Sequence, residues 1–229
     1  MKFLLGIIES ILLGIKALFG KSNPSQPEPI VVEPLIKRKK VNIIIDKQVR
    51  TKYQSGWIKK VRKKPITEIV IHGTAGGTTA EGMLLWMLQG ERAEEYYKGE
   101  ALFHYLIDRD QPNIVEVLDT AYYVYHSSSG KHDLETIGIE CINPSKTNRE
   151  PLTENQYKIL FNLIFNHLLP NFPTIKSIVS HDYNMYAYSK IPPKGCPGSG
   201  FDWTRLESEL ENNDFKFNKI TTGAYEIIS

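Results

Sequence analysis

Three residues of the 229-residue chain have the type and setting to do metal chemistry: His72, His181 and Cys196. His72 directly follows the β-branched run ITEIVI, His181 directly follows IKSIVS, and Cys196 lies in the Pro/Gly-rich stretch PPKGCPGSG. Open α/β sheets display functional groups where strands end. Two neutral imidazoles and a thiolate also form a protein ligand set for catalytic zinc with an open fourth position. Each residue has a plainer reading as well. A histidine that ends a strand commonly serves as a loop or helix-cap residue, and a lone cysteine in a Pro/Gly turn is commonly structural. Only the fold could bring these three together, so spacing alone does not decide between the readings.

The elements that must position them read as α/β from Pro65 onward. Residues 66–71 suit a buried strand, followed by the loop HGTAGGTTA and a helix through about Gln89, where Gly90 can cap it. Residues 102–107 and 114–118 read as strands around the turn-like Asp110-Gln111-Pro112-Asn113, hence a hairpin. The run TIGIECI at 136–142 is another strand, whose alternation sets Ile137, Ile139 and Cys141 on one face and Gly138 and Glu140 on the other. Thr153 with Gln156 forms a capping box for a long helix to about Leu169, where Pro170 and Pro173 are expected to stop it. Residues 175–179 give a last core strand and 203–210 a short final helix. The fold class is therefore α/β: a single domain with a central mixed β-sheet covered by helices.

Five segments, IVIHGTA, FHYLIDRD, HSSSGKHDLETIGIECIN, IVSHDYN and KGCPGSGFDW, occur in an order that resembles the type-2 N-acetylmuramoyl-L-alanine amidases. That family includes phage amidase endolysins and peptidoglycan recognition proteins, and the resemblance covers about residues 65–205. It implies a Zn2+ cofactor on His72, His181 and Cys196, and hydrolysis of the amide between N-acetylmuramic acid and L-alanine of the peptidoglycan stem. It also implies Glu140 as general base and Lys194 as the group that helps polarise the scissile carbonyl. Thr74 and His126, the latter resembling a groove-lining histidine of the family, are implied as substrate contacts. Phe103 stands where some phage relatives carry a tyrosine, so weight moves to Glu140. The segment between His181 and Cys196 carries Tyr183, Tyr186 and Tyr188, which either extend the groove or pad it; His104, His132 and His167 read as structural or surface residues. The rival functions are a non-catalytic peptidoglycan-binding domain and an amidase carried as a component of a phage or secretion particle.

Composition bounds the rest. With 41% hydrophobic and 24% charged residues the chain is not wholly disordered, and two cysteines exclude a multi-disulfide scaffold. The formal charge of +2 cancels two unlike parts: residues 1–64 hold 15 basic and 4 acidic side chains, the remaining 165 hold 13 and 22. Within the basic part, residues 1–20 read as an apolar helix: a signal peptide, a membrane anchor or an association helix. Residues 21–41 read as a Pro-rich, basic linker, 42–212 as the zinc amidase domain and 213–229 as a tail. The basic clusters at 37–40 and 59–64 fit a membrane or other anionic envelope surface, and no recognition module points to specific nucleic acid. The expected location is the cell envelope, or secreted or phage-delivered, with anchoring through residues 3–19.

Overall fold

The structure, a computed structural model, describes residues 45–46, 60–89, 101–111 and 114–228. All belong to the second of the two units, residues 1–39 and 40–229, into which the chain divides. The apolar run at 3–19, the proline spacer, the basic cluster at 37–40 and Gly90 lie outside the described residues.

Strands β3 (Glu68–Gly73) and β7 (Thr136–Cys141) pair in parallel at the middle of an eight-stranded mixed sheet. Strand β8 (Ser177–Ser180) joins β3 in parallel, and β4 (Tyr105–Ile107) joins β7 in parallel. The hairpin expected after Asp110 forms, with β5 (Ile114–Glu116) antiparallel to β4, and β1 (Ile45–Asp46) pairs with β5 in parallel at that edge. A separate two-stranded ribbon joins β2 (Lys60–Val61) to β6 (Tyr122–Tyr123).

At the opposite edge the structure corrects the sequence reading. Residues after Asn212 form β9 (Lys216–Thr221) and β10 (Ala224–Ile228), and β10 pairs antiparallel with β8, so this segment extends the main sheet. Its exposed, lysine-bearing edge strand β9 has no clean apolar alternation, which is why the pattern was silent.

The helices are α1 (Ala80–Gln89), α2 (Gly130–Asp133), α3 (Glu154–Leu163), α4 (His181–Asn184) and α5 (Trp203–Asn212). Helix α3 opens on the expected capping box: Gln156 N–H donates to Thr153 Oγ1 and Thr153 N–H donates to Gln156 Oε1. Pro170 does not stop it. The helix passes through a π turn (Ile164–Leu168) into a short last segment (Leu169–Asn171) that carries Pro170, and it ends before Pro173.

Strand alternation sorts the sheet into two faces. Ile69, Ile71, Ile137, Ile139 and Cys141 pack with Leu160, Leu163 and Ile164 of the α3 region and with Leu206 and Leu210 of α5. Leu106 and Val115 pack on the other side against Ala80, Leu84 and Met87 of α1. His72, Gly138 and Glu140 belong to that second face, opposite the isoleucine rows.

Candidate active site

His72 is the fifth residue of β3, and its register partner across the parallel pair with β7 is Glu140. His181 opens α4, immediately after β8, and Ser180 caps that helix by accepting from the Tyr183 N–H at 3.0 Å. Cys196 comes from the loop that precedes α5. One potential ligand atom from each of His72, His181 and Cys196 lies within 4.8 Å of the other two. Cys196 Sγ is 3.9 Å from His72 Nδ1, and the His72 and His181 rings are 4.4 Å apart between centroids. A tetrahedral ion with bonds of roughly 2.0–2.3 Å spaces such donors about 3.3–3.6 Å apart, so side-chain movements of about an ångström close the set. Two nitrogens and a sulfur are the donor chemistry zinc takes.

The loop bearing Cys196 is held by two residues that sequence reading did not single out. Asp182, beside His181, accepts the N–H groups of Lys194 (2.8 Å) and Gly195 (2.9 Å), while its own N–H donates to the Cys196 carbonyl. Asn148, buried and at φ 53°, accepts from Ala75 N–H at 2.7 Å and donates to the carbonyls of Gly73 and Gly195. The backbone at Gly198 passes so close to Asn148 that a Cβ there would sit 2.5 Å from the Asn148 Cβ, and its φ of 83° disfavours a side chain as well. An Asn that tolerates positive φ is the one local signal that could have marked this position.

These residues open onto a cavity of about 640 Å³ lined by His72, Thr74, His126, Glu140, His181, Lys194 and Cys196, with Met83, Trp86, Leu102 and Phe103 among its apolar walls. Every site residue read from the sequence therefore lines one cavity, but not in equivalent ways. The Glu140 carboxylate has no hydrogen-bond partner among the described residues, and burial pushes its pKa up to about 8. Lys194 is exposed at the rim. The Thr74 hydroxyl is used internally, donating to Gly76 and Asn143 carbonyls and accepting from Asn143 N–H. His126 is buried, with both ring nitrogens beside protein partners, His72 Nε2 at 3.0 Å and Thr136 Oγ1 at 2.8 Å. Burial, reinforced by its neighbour His181, holds His72 neutral, and His181 is lowered to about 4, chiefly by burial. Burial and then Glu140 raise the Cys196 thiol, so an acidifying cation is what would make it a thiolate ligand.

Several other polar residues are tied up within the fold. Arg62, from the basic run at 59–64, turns inward and donates to the carbonyls of Thr120, Leu134, Tyr122 and Thr136. Burial lowers its pKa to about 10. Lys60 donates to the Tyr125 hydroxyl and Lys64 pairs with Glu135, so three of the five basic residues in that run have internal partners. His132 pairs with buried Glu68 at 2.7 Å beneath the stacked ring of Tyr188, and Tyr186 and Tyr188 are both exposed. Among the described residues no helix is long and apolar enough to cross a membrane; residues 3–19 are outside them.

Comparison with known proteins agrees with this fold. Similar folds occur in an endolysin from the Thermus scotoductus bacteriophage Ph2119 (TM-score 0.53, 17% identity, covering 73% of this chain and 98% of that one). They also occur in the amidase LysC of Clostridium intestinale (0.50, 15%, 75% and 98%) and in the Drosophila peptidoglycan recognition protein SD (0.52, 15%, 73% and 94%). No curated protein sequence matches the chain. The family model described as N-acetylmuramoyl-L-alanine amidase matches residues 62–199, a span that runs from Arg62 through the Cys196 loop, and the chain belongs to the type-2 N-acetylmuramoyl-L-alanine amidase family.

Proposed function

We propose that this protein is a zinc-dependent peptidoglycan hydrolase that cleaves the amide between N-acetylmuramic acid and L-alanine of the stem peptide. The observation that carries the reading is the convergence of two imidazoles and a thiol within 4.8 Å, in a cavity that also holds a buried carboxylate with no hydrogen-bond partner among the described residues. His72, His181 and Cys196 hold the ion. When bound, zinc supplies Lewis acidity at the scissile carbonyl and makes water a usable nucleophile near neutral pH. Glu140 takes the proton from the attacking water and returns it to the leaving amine, a role supported by its place in the cavity with no hydrogen-bond partner among the described residues; a cation bound beside it would favour the ionised form that this role needs. Lys194 at the rim donates to the developing oxyanion, a contact of a kind worth about 3 to 4 kcal/mol. The apolar wall with Trp86 excludes water from one side of the substrate.

Zinc-loaded protein incubated with purified sacculi should release free stem peptides with an L-alanine amino terminus, identified by mass analysis. Stoichiometric zinc with no released peptide would leave a binding domain instead. Cys196→Ala and His181→Ala should lose zinc. Glu140→Gln should keep it and lose turnover by about 10²- to 10⁴-fold; wild-type hydrolysis by that variant refutes the base assignment.

Residues 1–64 are proposed to hold the enzyme at an anionic envelope surface. Deleting residues 1–40, which removes the apolar run and the basic cluster at 37–40 together, should move the protein out of the fraction bound to anionic vesicles while leaving hydrolysis of isolated walls intact, and an unchanged partition rules the anchor out.

A further inference from the structure

The His72 ring has its two nitrogens committed in opposite directions. Nδ1 faces Cys196 Sγ at 3.9 Å, and Nε2 lies 3.0 Å from His126 Nδ1. His126 in turn sets its Nε2 2.8 Å from Thr136 Oγ1. A ligating nitrogen must present its lone pair, so ligation through Nδ1 leaves the proton of neutral His72 on Nε2, from which it is donated to His126. His126 must then carry its own proton on Nε2 and donate it to the Thr136 hydroxyl. One ligation event therefore dictates both tautomers.

The surroundings are built around the His126 ring. The N–H groups of His126 and Ser127 both donate to Oδ1 of buried Asp133, at 3.1 and 2.7 Å, which holds the turn that delivers the ring. Beneath the ring lies Gly138 of β7, where a Cβ would stand 2.9 Å from both Cγ and Nδ1 of His126. Real Cβ atoms do not approach that closely, so the glycine in TIGIEC is the space the imidazole occupies. The side chain is thereby fixed in position and orientation, with no free ring nitrogen to offer a substrate.

We infer that His126 is a positioning residue for the metal ligand His72, the centre of a His72–His126–Thr136 relay that fixes the tautomer and ring plane of that ligand. The inference rests on reading His72, His181 and Cys196 as a zinc site, and it moves His126 from substrate contact to metal support. Outer partners of ligating histidines orient the ring and raise its basicity, and their loss typically weakens metal binding about 10- to 100-fold.

The test is zinc affinity of the full chain, measured by competition with a chromophoric chelator, together with the visible spectrum of the cobalt-substituted protein. Wild type should bind one zinc and His72→Ala should not; failure of either sinks the zinc reading itself, and the relay with it. His126→Ala should bind zinc about 10- to 100-fold more weakly and shift the cobalt spectrum. His126→Asn, whose amide oxygen can take the place of Nδ1 as acceptor, should stay close to wild type. Thr136→Val removes the last acceptor at almost constant shape and should weaken binding in the same direction by a smaller factor. Wild-type zinc affinity in His126→Ala overturns the relay, as does weaker binding to sacculi with zinc affinity unchanged, which would return His126 to the substrate. Should His126→Ala fail to fold, wild-type affinity in Thr136→Val overturns it equally.

Discussion

His104 shows how one buried residue writes itself into the acid stability of the protein. It is fully buried, its Nδ1 accepts the Gly138 N–H at 3.1 Å, and its Nε2 lies 3.1 Å from the Tyr122 carbonyl. Burial first, and then the Arg62 guanidinium, hold its pKa down to about 3. In the unfolded chain the same ring titrates near 6.5. Between those values the unfolded state binds one more proton than the folded state, so stability falls as pH drops from about 6.5 toward 3. His104→Asn keeps an acceptor near the Gly138 N–H and removes the titration. Its melting temperature should decline less steeply over that range than that of wild type, and parallel acid limbs would disprove the assignment. Glu140 works in the opposite sense: its folded pKa of about 8 means that the metal-free protein loses stability as pH rises from about 4.5 to 8, a loss absent from Glu140→Gln.

In helix α3, whose apolar face packs on the sheet, one polar residue has two tasks. Gln156 closes the capping box through Oε1, and its Nε2 donates to the Ile142 carbonyl just beyond β7 at 2.8 Å. Thr153→Ala removes the cap together with a 3.2 Å bond to the Arg109 carbonyl, and should cost about 1 kcal/mol. Gln156→Ala also orphans a buried carbonyl, which adds about 1–3 kcal/mol. Urea unfolding midpoints should therefore rank wild type above Thr153→Ala and Thr153→Ala above Gln156→Ala; the reverse order would deny Gln156 its second task. The capping box was readable because its two residues are three apart. The bond to Ile142 was not, because it joins residues 14 apart whose meeting depends on how the helix lies on the sheet.

For the molecule as a whole, the C-terminal hairpin matters to the site it never touches chemically. Strand β10 covers the edge of β8, Gly223 accepts the Ser180 N–H, and Tyr225 is buried against Trp203 and Phe217. Ser180 is the cap of the helix that begins with His181, so the hairpin braces one end of the proposed metal site. Ending the chain at Asn212 should bare the β8 edge, lower the melting temperature by several degrees or more, and weaken zinc binding. A truncated protein with wild-type stability would show the hairpin to be dispensable.

Much of this protein is local information. The β-branched runs, the capping box and the alternation of TIGIEC each rest on neighbours within a few residues, so the central strands, α3 and the facing of Glu140 could be read directly. The order of five motifs could likewise indicate the family and nominate His72, His181, Cys196, Glu140 and Lys194. The tertiary structure alone decided that Arg62 of a basic run turns inward and that Asp182 and Asn148 hold the cysteine loop. It also decided that residues 216–228 extend the sheet and that both ring nitrogens of the cavity-lining His126 lie against protein partners, His72 and Thr136. These contacts join residues up to 75 apart in sequence, and even Asp182 with Lys194, 12 apart, pairs a carboxylate with a backbone N–H that carries no side-chain signature. Their free energy comes from satisfying buried polar atoms, and which atoms are buried is known only once the sheet and its loops have closed.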